Sequence, residues 1–223
     1  MFENENQEQQ EESQYQKQLK EYLNLIIKWL GPHWQTIASV AGVVILFSGL
    51  AIYFITNYRN IQKLTYEKLS IAQGYAQHGM TDQAIQILDD IINRFSNQDI
   101  AQQARFIKAN ICFQTKNYNL AKSLYQDIIN LKKPKILIPY AYSALGATKE
   151  NLGDFKGAIE TYQEFLNKFP EHYLAPRIYD SLARVYFVTG EREKAKEIYE
   201  KLITLYPGTY WSNQAQKLFG STS

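Results

Sequence analysis

The chain predicts an all-α protein: a solenoid of four helical hairpins with a 37-residue period and a C-terminal capping helix, preceded by a single transmembrane helix. Three observations carry this. Gly79, Lys116, Gly153 and Gly190 lie 37 positions apart with their surroundings in the same register. Small residues recur twelve positions apart around two antiparallel segments of every copy: Ala72 with Ala84, Ala109 with Ala121, Gly146 with Ala158 and Ala183 with Ala195. Residues 36–58, TIASVAGVVILFSGLAIYFITNY, form 23 positions without a formal charge. Periods of this length mark arrays in which each unit buries its apolar face only against its neighbours.

Residues 1–35 read as a polar, acidic tail. Residues 1–16 have the composition of a disordered segment. Residues 22–30, YLNLIIKWL, are either an interfacial helix ended by Gly31-Pro32 or an extension of the membrane helix broken by that proline.

The span is set by residues 36–58. At about 1.5 Å per residue it crosses a hydrocarbon core of about 30 Å. It follows 35 mostly polar residues rather than a short basic head, and has no small-x-small cleavage site, so a permanent span is expected rather than a signal peptide. No cysteine stands at its end for a lipid anchor. Trp29, Trp34, Tyr53 and Tyr58 suit interfacial belts. Ala38, Gly42 and Gly49 make a small-residue stripe without a full GxxxG pair.

Residues 59–223 hold the repeats, at about 65–101, 102–138, 139–175 and 176–207, with the cap at 209–219. Gly79 and Gly153-Asp154 offer the left-handed conformation that ends one helix and releases the next; Lys116-Asn117 does so less well. Four positions beyond each inner alanine stands Leu88, Tyr125, Tyr162 or Tyr199, then an apolar pair: Ile91/Ile92, Ile128/Ile129, Phe165/Leu166 or Leu202/Ile203. Pro170 and Pro207 stop the second helices of the last two hairpins. The second copy is weakest, with Arg105, Lys108 and Cys112 where larger apolar residues are usual.

These residues resemble the tetratricopeptide repeat, the third copy best of all: Tyr142, Leu145, Gly146, Gly153, Asp154, Phe155, Ala158, Ile159, Tyr162, Leu166 and Pro170. The period is three residues longer than the family's commonest 34. The resemblance implies a concave face lined by the first helix of each hairpin. Its groove positions here are Tyr66, Leu69, Gln73, Gln103, Phe106, Asn110, Phe113, Tyr140, Ser143, Ala147, Arg177, Asp180, Arg184 and Phe187. Family members that hold an acidic peptide terminus use a lysine and asparagine clamp, and this chain has Leu69 and Gln73 there instead. An aromatic and amide lining suits apolar or extended segments of protein partners.

Catalysis has little to stand on. His33, His78 and His172 are scattered without metal-ligand spacing, and Cys112, the only cysteine, falls at a core position. No phosphate loop, dinucleotide fingerprint or paired-cysteine zinc pattern occurs. The expectation is therefore no enzyme, no cofactor, no metal and no small-molecule substrate. Residues 1–28 carry a net −3, leaving +5 spread along the remainder. This is a mixed solvated face rather than a nucleic-acid footprint.

The tail, uncleaved span and repeat domain together resemble the bacterial YfgM-type proteins, ancillary subunits of the Sec translocon. That resemblance implies an inner-membrane protein with a cytoplasmic N-terminus and a periplasmic repeat domain. Its partners would be translocon subunits, periplasmic chaperones or nascent secreted chains. The alternative is a tethered scaffold for envelope assembly or cell division. Charge alone leaves topology open, with Lys17, Lys20 and Lys28 before the span and Arg59, Lys63 and Lys68 after it.

Overall fold

The computed structural model describes residues 2–96 and 98–219. Among them there are nine α-helices, one 3-10 turn and no strand. The chain divides after Gln62 into two compact units, residues 1–62 and 63–223.

In the first unit, helix α1 (Phe2–Gln77) begins and continues past the boundary. The disordered tail expected at 1–16 is thus helical from Phe2, while Met1 lies outside the described residues. The physical reason is the run of Glu and Gln, good helix formers, with neither Gly nor Pro before Gly31. Nor does Gly31-Pro32 end the helix. A proline removes one N–H donor from the ladder, and the regular turns on both sides continue across the gap.

Within Trp34–Gln77 lies one stretch long and apolar enough to cross a membrane. Its large side chains, among them Val43, Ile45, Phe47, Ile52 and Phe54, are exposed. Three of its hydroxyls are satisfied inside the helix: Ser39 donates to the Thr36 carbonyl (2.8 Å), Ser48 to Val44 (2.7 Å) and Thr56 to Ile52 (2.9 Å). This is the arrangement a hydrocarbon solvent requires of polar groups.

The second unit starts within α1. The end of that helix pairs with α2 (Thr81–Arg94). The next pairs are α3 (Asp99–Gln114) with α4 (Tyr118–Leu131), α5 (Ile138–Asn151) with α6 (Phe155–Lys168), and α7 (Ala175–Val188) with α8 (Arg192–Leu205). Helix α9 (Tyr210–Phe219) covers the last pair, with Ala215 and Trp211 against Ala183, Tyr199 and Leu202.

The inner small residues perform the steric role their spacing predicts. Ala72, Ala84, Ala109, Ala121, Ala158, Ala183 and Ala195 are all fully buried. At Gly146 the requirement is sharpest, because a Cβ there would overlap the ring of Tyr162. Leu88, Tyr125, Tyr162 and Tyr199 fill the equivalent core position of the four hairpins.

Each hairpin turn closes in one way. Gly79, Lys116, Gly153 and Gly190 have φ of 76°, 62°, 73° and 85°. In each case the following N–H reaches back five residues, to the carbonyl of Tyr75, Cys112, Lys149 or Tyr186, at 2.8–2.9 Å. This double-bonded turn satisfies carbonyls that the helix end would otherwise leave unpaired. Two turns add a side-chain cap: Asn117 accepts from Leu120 N–H and Asp154 from Gly157 N–H.

Hairpin packing is reinforced by polar links. Lys108 donates to Asp89 at 2.5 Å from a largely buried position, which accounts for a lysine at a core-facing site of the weakest copy. Gln163 donates to the Tyr186 hydroxyl (2.9 Å), and the Tyr206 hydroxyl to the Pro170 carbonyl (2.6 Å). Cys112 is buried and free, and burial pushes its thiol pKa up.

Two substitutions test this account by thermal or denaturant unfolding. Lys116→Gly should stabilise the repeat unit by up to about 1 kcal/mol, because it relieves a left-handed lysine. Gly146→Ala should destabilise it by about 1 to 2 kcal/mol, overpacking outweighing the better helix propensity of alanine. A stabilising Gly146→Ala would contradict the close approach of α5 to Tyr162.

Candidate functional site: an aromatic cavity in the groove

A cavity of about 310 Å³ opens across the first helices of three successive hairpins. From α3 come Phe106, Asn110 and Phe113; from α5, Tyr140, Ser143, Ala144 and Ala147. Both sets have the i, i+3/i+4, i+7 spacing that places residues on one helical face. Tyr173, Leu174 and Arg177, at the entry to α7, close the third side, and Tyr125 reaches in from α4.

The walls are held by ring contacts. Phe106 meets the Tyr125 ring edge-on at 5.7 Å, and Phe113 meets Tyr118 at 5.5 Å. Both phenylalanines also pack against the main core cluster. Tyr140 stands perpendicular to His172 at 5.7 Å, and the Tyr173 hydroxyl donates to that of Tyr140 at 3.0 Å. The Leu174 N–H donates to Nδ1 of His172 (3.2 Å), which puts the neutral imidazole's proton on Nε2. Burial lowers the His172 pKa and raises that of Tyr125 well beyond the ordinary phenol range. Inside the cavity the Tyr125 hydroxyl donates to Asn110 Oδ1 at 2.6 Å.

Seven of the fourteen residues expected in the groove line this cavity: Phe106, Asn110, Phe113, Tyr140, Ser143, Ala147 and Arg177. The others do not. Leu69 is instead buried in the first hairpin's core with Ala72, Ala84 and Leu88. Its place on α1 points to α2, so it anchors a hairpin instead of facing a ligand. Tyr66 and Gln73 are exposed and Gln103 is half-buried.

Asp180, Arg184 and Phe187 lie further along α7. There Arg184 grips Glu150 through both terminal nitrogens, at 2.5 and 3.3 Å, and the Tyr162 hydroxyl donates to the same carboxylate at 2.5 Å. Asp180 beside this group has its pKa raised, chiefly by burial; Glu150 adds to the rise and Arg184 opposes it.

Tyr125, Ala144, Tyr173 and Leu174 line the cavity without having been anticipated. Tyr173 was within reach of the sequence, since it stands one turn before Arg177 on the same stripe. Tyr125 was not, because its position reads as core, and it is core except for its hydroxyl end. A second cavity, about 630 Å³, involves none of the expected residues and is lined by Gln126, Lys132, Lys135, Tyr142, Glu164 and Lys168 among others.

Asp180 supplies a pH test. A carboxyl whose folded pKa is raised favours folding in its protonated form. That contribution is complete below the unfolded aspartate pKa and is lost as pH rises through the folded value. Asp180→Asn should therefore raise the melting temperature relative to wild type at pH 7 and lose that advantage near pH 3. Arg184→Ala should move the Asp180 titration midpoint, followed by NMR, further upward.

Comparison with known proteins agrees with this architecture. Residues 68–97, 140–172 and 176–209 match the tetratricopeptide repeat. The second hairpin, the weakest copy in sequence, lies outside the matched stretches. No curated protein matches the chain. Among solved structures, MamA aligns with a TM-score of 0.54 at 20% identity, covering 70% of this chain and 76% of that one. A putative kinesin light chain of Podosopora anserina, with nearly identical TPR-like repeats, aligns at 0.57 and 15% identity, covering 70% and 87%. The apo form of RapI aligns at 0.63 and 15% identity; it covers 70% of this chain, which spans 47% of RapI. At these identities the likeness is one of fold: a tetratricopeptide-repeat solenoid.

Proposed function

We propose that this tetratricopeptide-repeat chain is a membrane-anchored protein-protein interaction module that handles newly translocated chains at the Sec translocon or passes them to periplasmic chaperones. The observation that carries the reading is the pairing, in one chain, of a groove with an aromatic cavity and a stretch long and apolar enough to span a bilayer. Rigid aromatics offer contact area at low entropic cost, and half-exposed amides and hydroxyls suit the backbone of an extended segment. Apolar area beside a few hydrogen-bonding groups is the chemistry of a recognition site.

The translocon assignment rests on the layout's resemblance to YfgM-type proteins, and so does the orientation, N-terminus in the cytoplasm and repeats outside. Bilayer attachment is supported by exposed apolar side chains along 36–58 and by exposed Trp29, Trp34, Tyr53 and Tyr58 flanking or ending that stretch.

Protease added to spheroplasts should remove the repeat domain, and an alkaline phosphatase fused after Ser223 should be active. A protected domain with an inactive fusion reverses the topology and rules out the periplasmic role. A photo-crosslinker at Tyr173, which is 68% exposed, should capture translocon subunits, chaperones or unfolded secretory chains in native membranes. Ala147→Glu should reduce those adducts about fivefold or more with little change in melting, because the longer side chain then fills the open cavity beside Arg177 and takes the space of a bound segment. Capture of one stoichiometric folded partner instead would favour a scaffold for envelope assembly or cell division.

A further inference from the structure

The cavity is unevenly supplied with hydrogen-bonding groups. Asn110 Oδ1 is occupied by the Tyr125 hydroxyl, so the unspent part of that amide is its Nδ2 donor pair. Tyr140 accepts from the Tyr173 hydroxyl, which leaves the Tyr140 hydrogen to be donated elsewhere. Arg177 is exposed and forms no ion pair among the described residues, whereas Arg184, two turns along the same helix, is held by Glu150. No carboxylate lines the cavity. What the lining offers is therefore an amide donor pair and a cationic donor, with no anionic acceptor, beside the apolar surfaces of Phe106, Phe113 and Leu174.

We infer that the cavity recognises an extended peptide segment carrying a large apolar or aromatic side chain with a carboxylate two residues from it. This rests on the groove reading above and gives it a chemistry. The apolar side chain enters between Phe106 and Leu174, a backbone carbonyl accepts from Asn110 Nδ2, and the carboxylate pairs with Arg177. In an extended chain residues i and i+2 project to one side about 6.6 Å apart, so anchor and carboxylate face the groove together. At about 310 Å³ the space is at the small end of the roughly 300–1,000 Å³ of ligand pockets, which suits a side chain of a longer segment. Arg177 supplies charge complementarity: its planar fork matches a carboxylate and opposes a lysine. This differs from the lysine and asparagine clamp for a chain terminus, which Leu69 and Gln73 replace here. The cationic group sits on the third hairpin boundary instead, and it reads an internal acid.

The test uses the full-length chain in detergent micelles and fluorescein-labelled, C-terminally amidated heptapeptides followed by anisotropy. The reference probe is Gly-Ser-Phe-Ser-Asp-Ser-Gly; in one control Lys replaces Asp, and in another Gly replaces Phe. The reference should bind about tenfold more tightly than either control, the discrimination expected of one charge-assisted pair or one buried side chain. Arg177→Glu should reverse the preference, so that the Lys peptide binds better than the Asp peptide. Arg177→Gln should bring the two within about threefold. Equal binding of the Asp and Lys peptides to wild type, with both weakened by Ala147→Glu, overturns the carboxylate assignment and leaves the groove reading standing. No peptide binding, alongside intact crosslinking at position 173, overturns the cavity's peptide chemistry but not the module's function. Absence of both overturns both.

Discussion

The close approach of the two helices in each hairpin is the constraint from which the rest of the repeat unit follows. Ala72, Ala109, Gly146 and Ala183 occupy the contact, and the large side chain four positions past each inner alanine lies over them. Close approach is possible only where one partner is small. The large partner then takes the vacated space, as Tyr162 does against Gly146. Packing at native density leaves no room to exchange these roles. A larger residue at 146 would push α5 away from α6 and move with it Tyr140, Ser143 and Ala147, which line the cavity.

The same geometry explains why the cavity forms where it does. The core tyrosine of the second hairpin, Tyr125, is long enough to fill its hairpin and still bring its hydroxyl to Asn110 on the groove face. A leucine stands at that position in the first hairpin, Leu88, fully buried and without any polar end. In the third hairpin the hydroxyl of Tyr162 meets Glu150, which Arg184 also grips. Three versions of one core position thus differ at their tips: no hydroxyl at Leu88, one bonded to Asn110 at Tyr125, and one bonded to the Arg184-gripped Glu150 at Tyr162. Burial raises the pKa of Tyr125 and Tyr162 alike, keeping both phenols protonated and able to donate.

The turns impose a second, local discipline. All four marker residues adopt positive φ and all four close the same pair of backbone bonds. Three are glycine. Lys116 adopts the conformation because the helices on both sides demand it, with Asn117 capping the next helix as partial support. The second hairpin, poorest in family features, is thereby held in register by its neighbours, including the Lys108–Asp89 pair to the hairpin before it. Cooperation between adjacent units is what a linear array relies on.

Period, small-residue contacts, turn residues and the uncharged stretch were all legible in the sequence, because each depends on residue type at fixed spacing along one helix or turn. So were seven of the eleven residues that line the cavity, since face and register follow from 3.6-residue periodicity. The rest depended on relations between helices. Leu69 reads as groove by register, yet it packs with Ala72, Ala84 and Leu88 as core. Tyr125 reads as core, yet its length carries its hydroxyl through to the cavity. Glu150 gave no local sign of a role and is placed opposite Arg184, 34 residues away, only by stacking. At Gly31-Pro32 and in residues 2–16 local breaker and composition rules gave way to helix propensity and the continuity of the ladder. Sequence by itself determined where the hairpins turn and which of their faces are apolar. Tertiary structure alone decided which polar groups were left unspent, because that depends on partners many residues distant.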